Sequence, residues 1–398
     1  MAEKGPVGAT FEAVSGIIGL TNDLVDIFKS SDSDFGSSDA QSTVRVALGL
    51  GTSANDGSSL SGNVPTLALW DDVGNMLGSV AGSHKQTIAA GNFQDITVDQ
   101  GDNNGEPTYI GISAGGNDAI CISYISITSP SSQKSAWTGD VGYKCGASWH
   151  YSTLRFGENG HQPYCTWIDV DGSDGIQAMG MGVHIPDFNP QQTGLAQEFR
   201  NNPDAMCNST PRFSMYSEID AMTNLYPIFQ PTLQYNSDGS DTDLNKVFVG
   251  GTMVGQGDNP NPISSTSIQK RDLSPGPDHN ATAKRRNRLD TIIVTQYPQH
   301  QTEKLCNSNS SYGPSMANVH EGLFCDMEKK RLLPICNGKN VTCSCLDIGH
   351  DHHSSNGTKP FTRPPCKVRP RYASRELAEK DDISTLSFKN VVNWKNYH

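Results

Sequence analysis

Charged residues are scarce in this sequence. Only 18% of its 398 positions are Asp, Glu, Lys or Arg, and aromatics supply a further 8%. No apolar run approaches the roughly 18 residues that a membrane-spanning helix requires, so such a span is excluded. The first 265 residues hold just 10 Lys and Arg against 29 Asp and Glu, a net charge of −19. A nucleic-acid partner for that acidic part is excluded, because phosphate binding depends on positive charge. What is plentiful is turn chemistry, with 39 Gly and 22 Pro. Together with short, regularly spaced apolar runs, this favours loop-rich β structure over a helical bundle.

Charge and cysteine divide the chain in the same place. Residues 266–398 carry 20 basic against 13 acidic side chains, net +7. Two parts of opposite sign attract one another at low ionic strength. Cys121, Cys145, Cys165 and Cys207 lie in the acidic part, and Cys306, Cys325, Cys336, Cys343, Cys345 and Cys366 in the basic part. Even numbers on each side suit a disulfide framework and an oxidising compartment, with connectivity left open. Zinc is the competing reading at Cys343-x-Cys345 followed by His350, His352 and His353. One intervening residue fits zinc spacing poorly, and a solvated His-rich loop is the commoner explanation.

Sequons stand at Asn208, Asn280, Asn309, Asn340 and Asn356. Composition alone would yield about as many, but four of the five follow residue 275, beside the denser cysteines. The early apolar run Ile17 to Leu20 is too short for a signal-peptide core. The expectation is therefore a secreted, extracellular glycoprotein whose leader is absent from this sequence.

Pattern along the chain predicts five parts. Residues 1–42 hold an amphipathic helix over 9–29 and a linker; 43–190 form an antiparallel β-sandwich; 191–263 are a helical and loop extension; 264–288 are a basic linker; and 289–398 form a disulfide-rich α+β module. Strands are expected at Val44–Leu50, Thr66–Trp70, Asn92–Val98, Thr108–Ser113, Ala119–Ile127, Cys165–Asp169, Ala178–Ile185 and Asp290–Thr295. Alternation in Ile120, Ile122 and Tyr124 slips one residue before Ile125 and Ile127, the sign of a bulge. Helical segments are expected at Gly194–Phe199, Ser214–Leu225 and Ser374–Asp382.

Four candidate chemistries follow. Lys270-Arg271 and Lys284-Arg285-Arg286 lie in a polar, Pro- and Gly-containing segment and offer a processing protease exposed basic sites. Lys329-Lys330-Arg331 lies between Cys325 and Cys336, where a cut is expected to leave fragments tied by disulfide. Gly111-Ile-Ser113-Ala-Gly115 matches a nucleophile elbow, making Ser113 the candidate nucleophile of an extracellular serine hydrolase. However, the β-branched NDAICISYISIT follows where a helix is needed, and 115–118 read as a hairpin turn. Asp169, Asp171 and Asp174 space carboxylates around glycines as Ca²⁺ would require, although ordinary Asp/Gly turns do the same. Trp149, His150, Trp167 and Asp169, with Trp137 and Tyr143, Tyr151 and Tyr164 nearby, read either as sandwich core or as a platform for the C–H face of a sugar.

The segments AWTGDVGYKCGASW (136–149), CTWID (165–169), VHIPDF (183–188) and EGLFCDM (321–327), with Ala119–Ile127, resemble secreted proteins of filamentous fungi. The resemblance implies a fungal extracellular protein with a β-sandwich and a processed, cysteine-rich tail. It brings no activity and no catalytic residue with it. The functional expectation is a non-enzymatic protein that binds a surface or cell-wall glycan, is cut at dibasic sites, and uses no cofactor beyond a candidate Ca²⁺. A processed toxin or effector is the alternative from a different class.

Overall fold

The computed structural model describes residues 40–51, 60–72, 74–102, 105–155, 160–172, 175–189, 205–208, 212–216, 288–336, 345–348, 361–362 and 387–395. The chain forms two compact units, whose described parts fall within 40–216 and 288–395.

In the first unit the strands are β1 (Gln41–Leu48), β2 (Gly62–Val64), β3 (Thr66–Trp70), β4 (Met76–Val80), β5 (Ser83–Ile88), β6 (Phe93–Asp99), β7 (Tyr109–Ser113), β8 (Ile120–Thr128), β9 (Lys134–Thr138), β10 (Trp149–His150), β11 (Cys165–Ile168), β12 (Gly180–His184) and β13 (Phe213–Tyr216). Two short helices, α1 (Gly139–Lys144) and α2 (Ala205–Asn208), and a 3₁₀ turn at Ile185–Phe188 join them. One sheet has the order β10-β11-β8-β1-β6, with β9 also on β8; the other runs β13-β12-β7-β3-β4. Every pairing in both sheets is antiparallel. Strands β2 and β5 form a separate ribbon. The expected sandwich is therefore present.

Its core is built from alternate residues of both sheets, among them Val44, Val46, Ile122 and Ile125 from the first and Leu67, Ile112, Met181 and Phe213 from the second. The phase slip in β8 is a bulge. Ala47 pairs Tyr124 and Leu48 pairs Ile122, so Ser123 is the extra residue. That one insertion lets Ile120, Ile122, Ile125 and Ile127 all face the core.

Two sequence expectations need correction. Ser214–Leu225 was expected to be helical, but Phe213–Tyr216 is a strand on β12. Phe213 and Met215 alternate into the core, and that burial outweighs local helical preference. Residues 115–118 are not a hairpin turn either, because β7 and β8 belong to different sheets. The turn carries the chain from one layer to the other. A Cβ on Gly115 would stand 1.7 Å from the Val64 carbonyl oxygen, so only glycine passes there. The helices expected at 9–29, Gly194–Phe199 and Ser374–Asp382 lie outside the described residues.

The second unit contains β14 (Thr291–Thr295), α3 (Thr302–Asn307), β15 (Ser315–Asn318), β16 (Leu323–Asp326), β17 (Arg331–Pro334), β18 (Leu346–Asp347), β19 (Phe361–Thr362) and β20 (Asn390–Trp394). Its main sheet has the order β17-β16-β15-β14-β20, with β14 parallel to both neighbours. A ribbon of β18 and β19 stands beside it. One core cluster joins Ile292, Ala317, Phe324, Leu333, Leu346 and Phe388, and Ile293, Leu305, Met316, Val392 and Trp394 are buried as well.

Four disulfides close the two units: Cys121–Cys165, Cys145–Cys207, Cys306–Cys325 and Cys336–Cys345. Cys345 is thereby removed as a zinc ligand. Cys343, Cys366 and the three histidines lie outside the described residues. No helix among the described residues is long and apolar enough to cross a membrane. The Cys145–Cys207 bridge spans 62 positions and ties the end of α1 to α2. Constraining a loop of that length in the unfolded chain stabilises the fold by about 4 kcal/mol. The double substitution Cys145→Ala/Cys207→Ala is expected to lower unfolding free energy by about 2–5 kcal/mol in denaturant titration.

Candidate functional site

The residues singled out from the sequence are brought close but not onto one surface. In an antiparallel pair, directly opposite residues share a face. Trp149 stands opposite Thr166, whereas His150 stands opposite Cys165 and Trp167 opposite Cys121. Trp149 therefore points away from His150 and Trp167. Trp149, His150 and Asp169 are fully buried and Trp167 nearly so. A stacking platform needs an accessible ring face, so these four residues serve as interior and do not form the open platform they suggested.

The less deeply buried aromatics of this group, Tyr143 and Tyr164, lie around α1. Helix α1 lies directly on β11, where a Cβ on Gly142 would come within 2.0 Å of Thr166 Oγ1. Its first turn carries Asp140 and its last turn Lys144, each matching the helix dipole. Trp149 forms the floor, edge-on to Tyr143 at 4.8 Å, Tyr164 at 4.9 Å and Tyr151 at 5.3 Å between ring centroids. Over it, Tyr143 and Tyr164 stack at 4.1 Å, and both rings are half-buried.

Polar groups border this pair. Asp140, almost fully buried, accepts hydrogen bonds from His161 Nε2 at 2.9 Å, Thr138 Oγ1 at 3.1 Å and the Tyr164 amide at 3.2 Å. A carboxylate only accepts, so Nε2 of His161 must carry its proton. The His161 side chain keeps 30% of its surface in solvent, and Gln162 beside it is half-buried. Burial first, then the neighbouring Tyr143 and Asp140, hold the Tyr164 phenol well above its ordinary pKa, so it stays a protonated donor. The arrangement is a stacked, partly buried tyrosine pair with imidazole and amide side chains nearby. His161 and Gln162 had no pattern in the sequence to mark them.

Phe93 is exposed, 43% accessible. The Arg45 guanidinium covers one of its faces at 3.8 Å while gripping Asp95 through two nitrogens at 2.7 and 2.8 Å.

Ser113 lies within β7, paired with Thr66 on one side and Gly180 on the other. The strand leads through a turn into β8 and not into a helix. A second titratable group does occur on the adjoining strand. Nδ1 of His184 lies 2.9 Å from Asp187 Oδ2, and Arg212 Nη1 donates to Asp187 Oδ1 at 3.0 Å. His184 pairs with Tyr109, four residues and about 13 Å along the strand from Ser113. Serine and imidazole thus stand too far apart to act as nucleophile and base.

Asp169 is buried, with its amide donating to Ala178 carbonyl oxygen at 2.7 Å, and Asp171 is half-buried. Asp174 lies outside the described residues. Among the described residues, no group of three His, Cys, Asp or Glu is arranged to hold a metal ion. Of the sequons, Asn309 is exposed just past α3 and Asn208 ends α2; Asn280, Asn340 and Asn356 lie outside the described residues, as do Lys270, Arg271, Lys284, Arg285 and Arg286.

The third basic cluster was expected to leave disulfide-tied fragments if cut. The pairing overturns that reason, because Cys306–Cys325 ends before it and Cys336–Cys345 begins after it. What encloses the cluster is a hairpin. Lys330 sits at φ +48° and donates to Ser311 carbonyl oxygen at 2.6 Å, while Arg331 opens β17 and pairs with Asp326 at 3.3 Å.

The His184–Asp187–Arg212 group is sealed, with all three side chains fully buried. Burial raises the Asp187 pKa, but the nearby His184 and Arg212 outweigh it and leave the carboxyl below its ordinary value. A depressed carboxylate contributes stability above its unfolded pKa of about 3.9, and that contribution is lost as pH falls through the depressed value. Arg212→Ala leaves a buried charge without its partner and is expected to cost about 3–5 kcal/mol in chemical denaturation at pH 7. Asp187→Asn is expected to flatten the loss of stability below pH about 4. Compared with models of known families and with curated proteins, the chain matches none.

Proposed function

We propose that this is an extracellular, non-enzymatic glycoprotein whose β-sandwich binds a neutral cell-wall polysaccharide across Tyr143, Tyr164 and His161. The observation that carries the reading is the partly buried, stacked tyrosine pair beside polar side chains. A pyranose presents an apolar C–H face and a ring of hydroxyls, and recognition pairs the first with an aromatic ring and the second with fixed donors and acceptors. Trp149 and the Cys145–Cys207 bridge hold the tyrosines in place, so little entropy is lost on binding.

Extracellular placement is supported by four disulfides among the described residues, which persist in oxidising surroundings. Exposure of Asn309 suits glycosylation there. The segments that resemble secreted fungal proteins agree with this placement. A toxin or effector role for the C-terminal unit is favoured by one observation: it has its own sheet, core and disulfides.

Sedimentation with insoluble β-glucan, chitin and cellulose tests the glycan reading on the full chain. Tyr143→Ala is expected to weaken retention about two- to tenfold, since an aromatic stack contributes about 0.5–1.5 kcal/mol. Tyr143→Phe should keep most of it, and Trp167→Phe should not alter it. If none of the three polymers retains the folded parent, the reading fails.

A further inference from the structure

All four cysteines before residue 216 pair among themselves, Cys121 with Cys165 and Cys145 with Cys207. Each sulfur enters one disulfide. None is left to reach the six cysteines beyond residue 300, whatever partners Cys343 and Cys366 take. The sheets divide in the same way. Among the described residues, β1 to β13 pair only with one another, and so do β14 to β20. Between these two closed sets lies residue range 217–287, which carries Lys270-Arg271 and Lys284-Arg285-Arg286.

We infer that the backbone of residues 217–287 is the sole covalent tie between the two units, and that a Lys/Arg-specific endoprotease acting at these basic sites converts the chain into two products needing no reduction to separate. The step is a hydrolysis. Water adds across one peptide bond, leaving a new carboxylate on the basic residue and a new amine on the residue after it. The two products differ sharply in charge. A cut after Arg286 leaves 15 Lys and Arg against 31 Asp and Glu in residues 1–286, net −16. Residues 287–398 then hold 15 against 11, net +4.

The contrast with Lys329-Lys330-Arg331 sharpens the assignment. There the lysine ammonium is anchored on Ser311 and the arginine on Asp326, inside the β16–β17 hairpin. A protease needs its substrate extended in the cleft, and this cluster would have to leave the sheet first. Cutting at Lys329–Arg331 is therefore disfavoured by that hairpin, and the proposed sites are Lys270-Arg271 and Lys284-Arg285-Arg286. This inference stands apart from the glycan reading, since it rests on cystine pairing and sheet closure alone.

The test treats the full chain with a kexin-type protease and runs the product on a denaturing gel without reductant. Two bands are expected, and N-terminal sequencing of the smaller should begin at residue 272 or 287. In urea, the larger product should bind an anion exchanger and the smaller a cation exchanger. Replacing Lys270, Arg271, Lys284, Arg285 and Arg286 by Ala should leave one band. A cut chain that keeps its full mass until reductant is added would overturn the inference, because a disulfide would then cross the segment. Cleavage confined to Lys329–Arg331 would overturn it as well.

Discussion

Strand β8 is the member on which the sandwich depends. It pairs with β1 along one side and with β11 and β9 in succession along the other. A strand has a side-chain period of two, so nine residues in strict alternation would bury only one set. The extra residue Ser123 shifts the phase and delivers Ile120, Ile122, Ile125 and Ile127 to the same core. Each fully buried isoleucine contributes about 1.5–3 kcal/mol, so the four together amount to about 6–12 kcal/mol. The other face of β8 holds Cys121, which ties it to β11, and Ser123, whose hydroxyl lies 3.0 Å from that of Ser152. Without the bulge, one end of the strand would turn its isoleucines outward and the two halves would favour different registers.

The same strand places the candidate site. Thr166 on β11 pairs with Ile122, and α1 lies against Thr166 through Gly142. The aromatic group therefore hangs from the edge of the sheet centred on β8. Trp149 is spent on packing, because its position on β10 sends it beneath α1. Tyr143 from α1 and Tyr164 just before β11 are left at the rim, where a ring can be covered on one side and wet on the other. Asp140 fixes that rim by collecting three donors on one carboxylate. A buried carboxylate with several hydrogen bonds is a rigid anchor, since losing any one donor strands part of the charge. His161 is thereby oriented although it lies in a connecting segment.

Much of the architecture was legible in the sequence, and the reasons differ by element. Strands β3, β7 and β8 announce themselves through β-branched alternation between turn residues. Strand β5, SHKQTI, is polar because it pairs only with β2 and faces solvent over four residues. Strand β13 is four residues long, too short for periodicity to separate strand from helix. The site was legible only as a crowd of aromatics. Which of Trp149 and Trp167 faces α1 depends on the register of β10 with β11, and no local pattern records a register. The buried ion cluster shows the same limit. His184 and Asp187 stand three apart in VHIPDF, but Arg212 arrives from a different part of the chain.

The two units place their disulfides on different kinds of element. The sandwich has a large shared interior, with buried Trp137, Ile112, Met181 and Phe213 among many others. Its disulfides join elements that packing already brings together, α1 to α2 and β8 to β11. In the C-terminal unit one apolar cluster packs around Phe324, and Ile293, Leu305, Met316, Val392 and Trp394 are buried as well. There Cys306–Cys325 fastens α3 onto β16, and Cys336–Cys345 fastens the end of β17 beside β18. Because all four cysteines before residue 216 pair among themselves, no disulfide can run from the sandwich to the C-terminal unit.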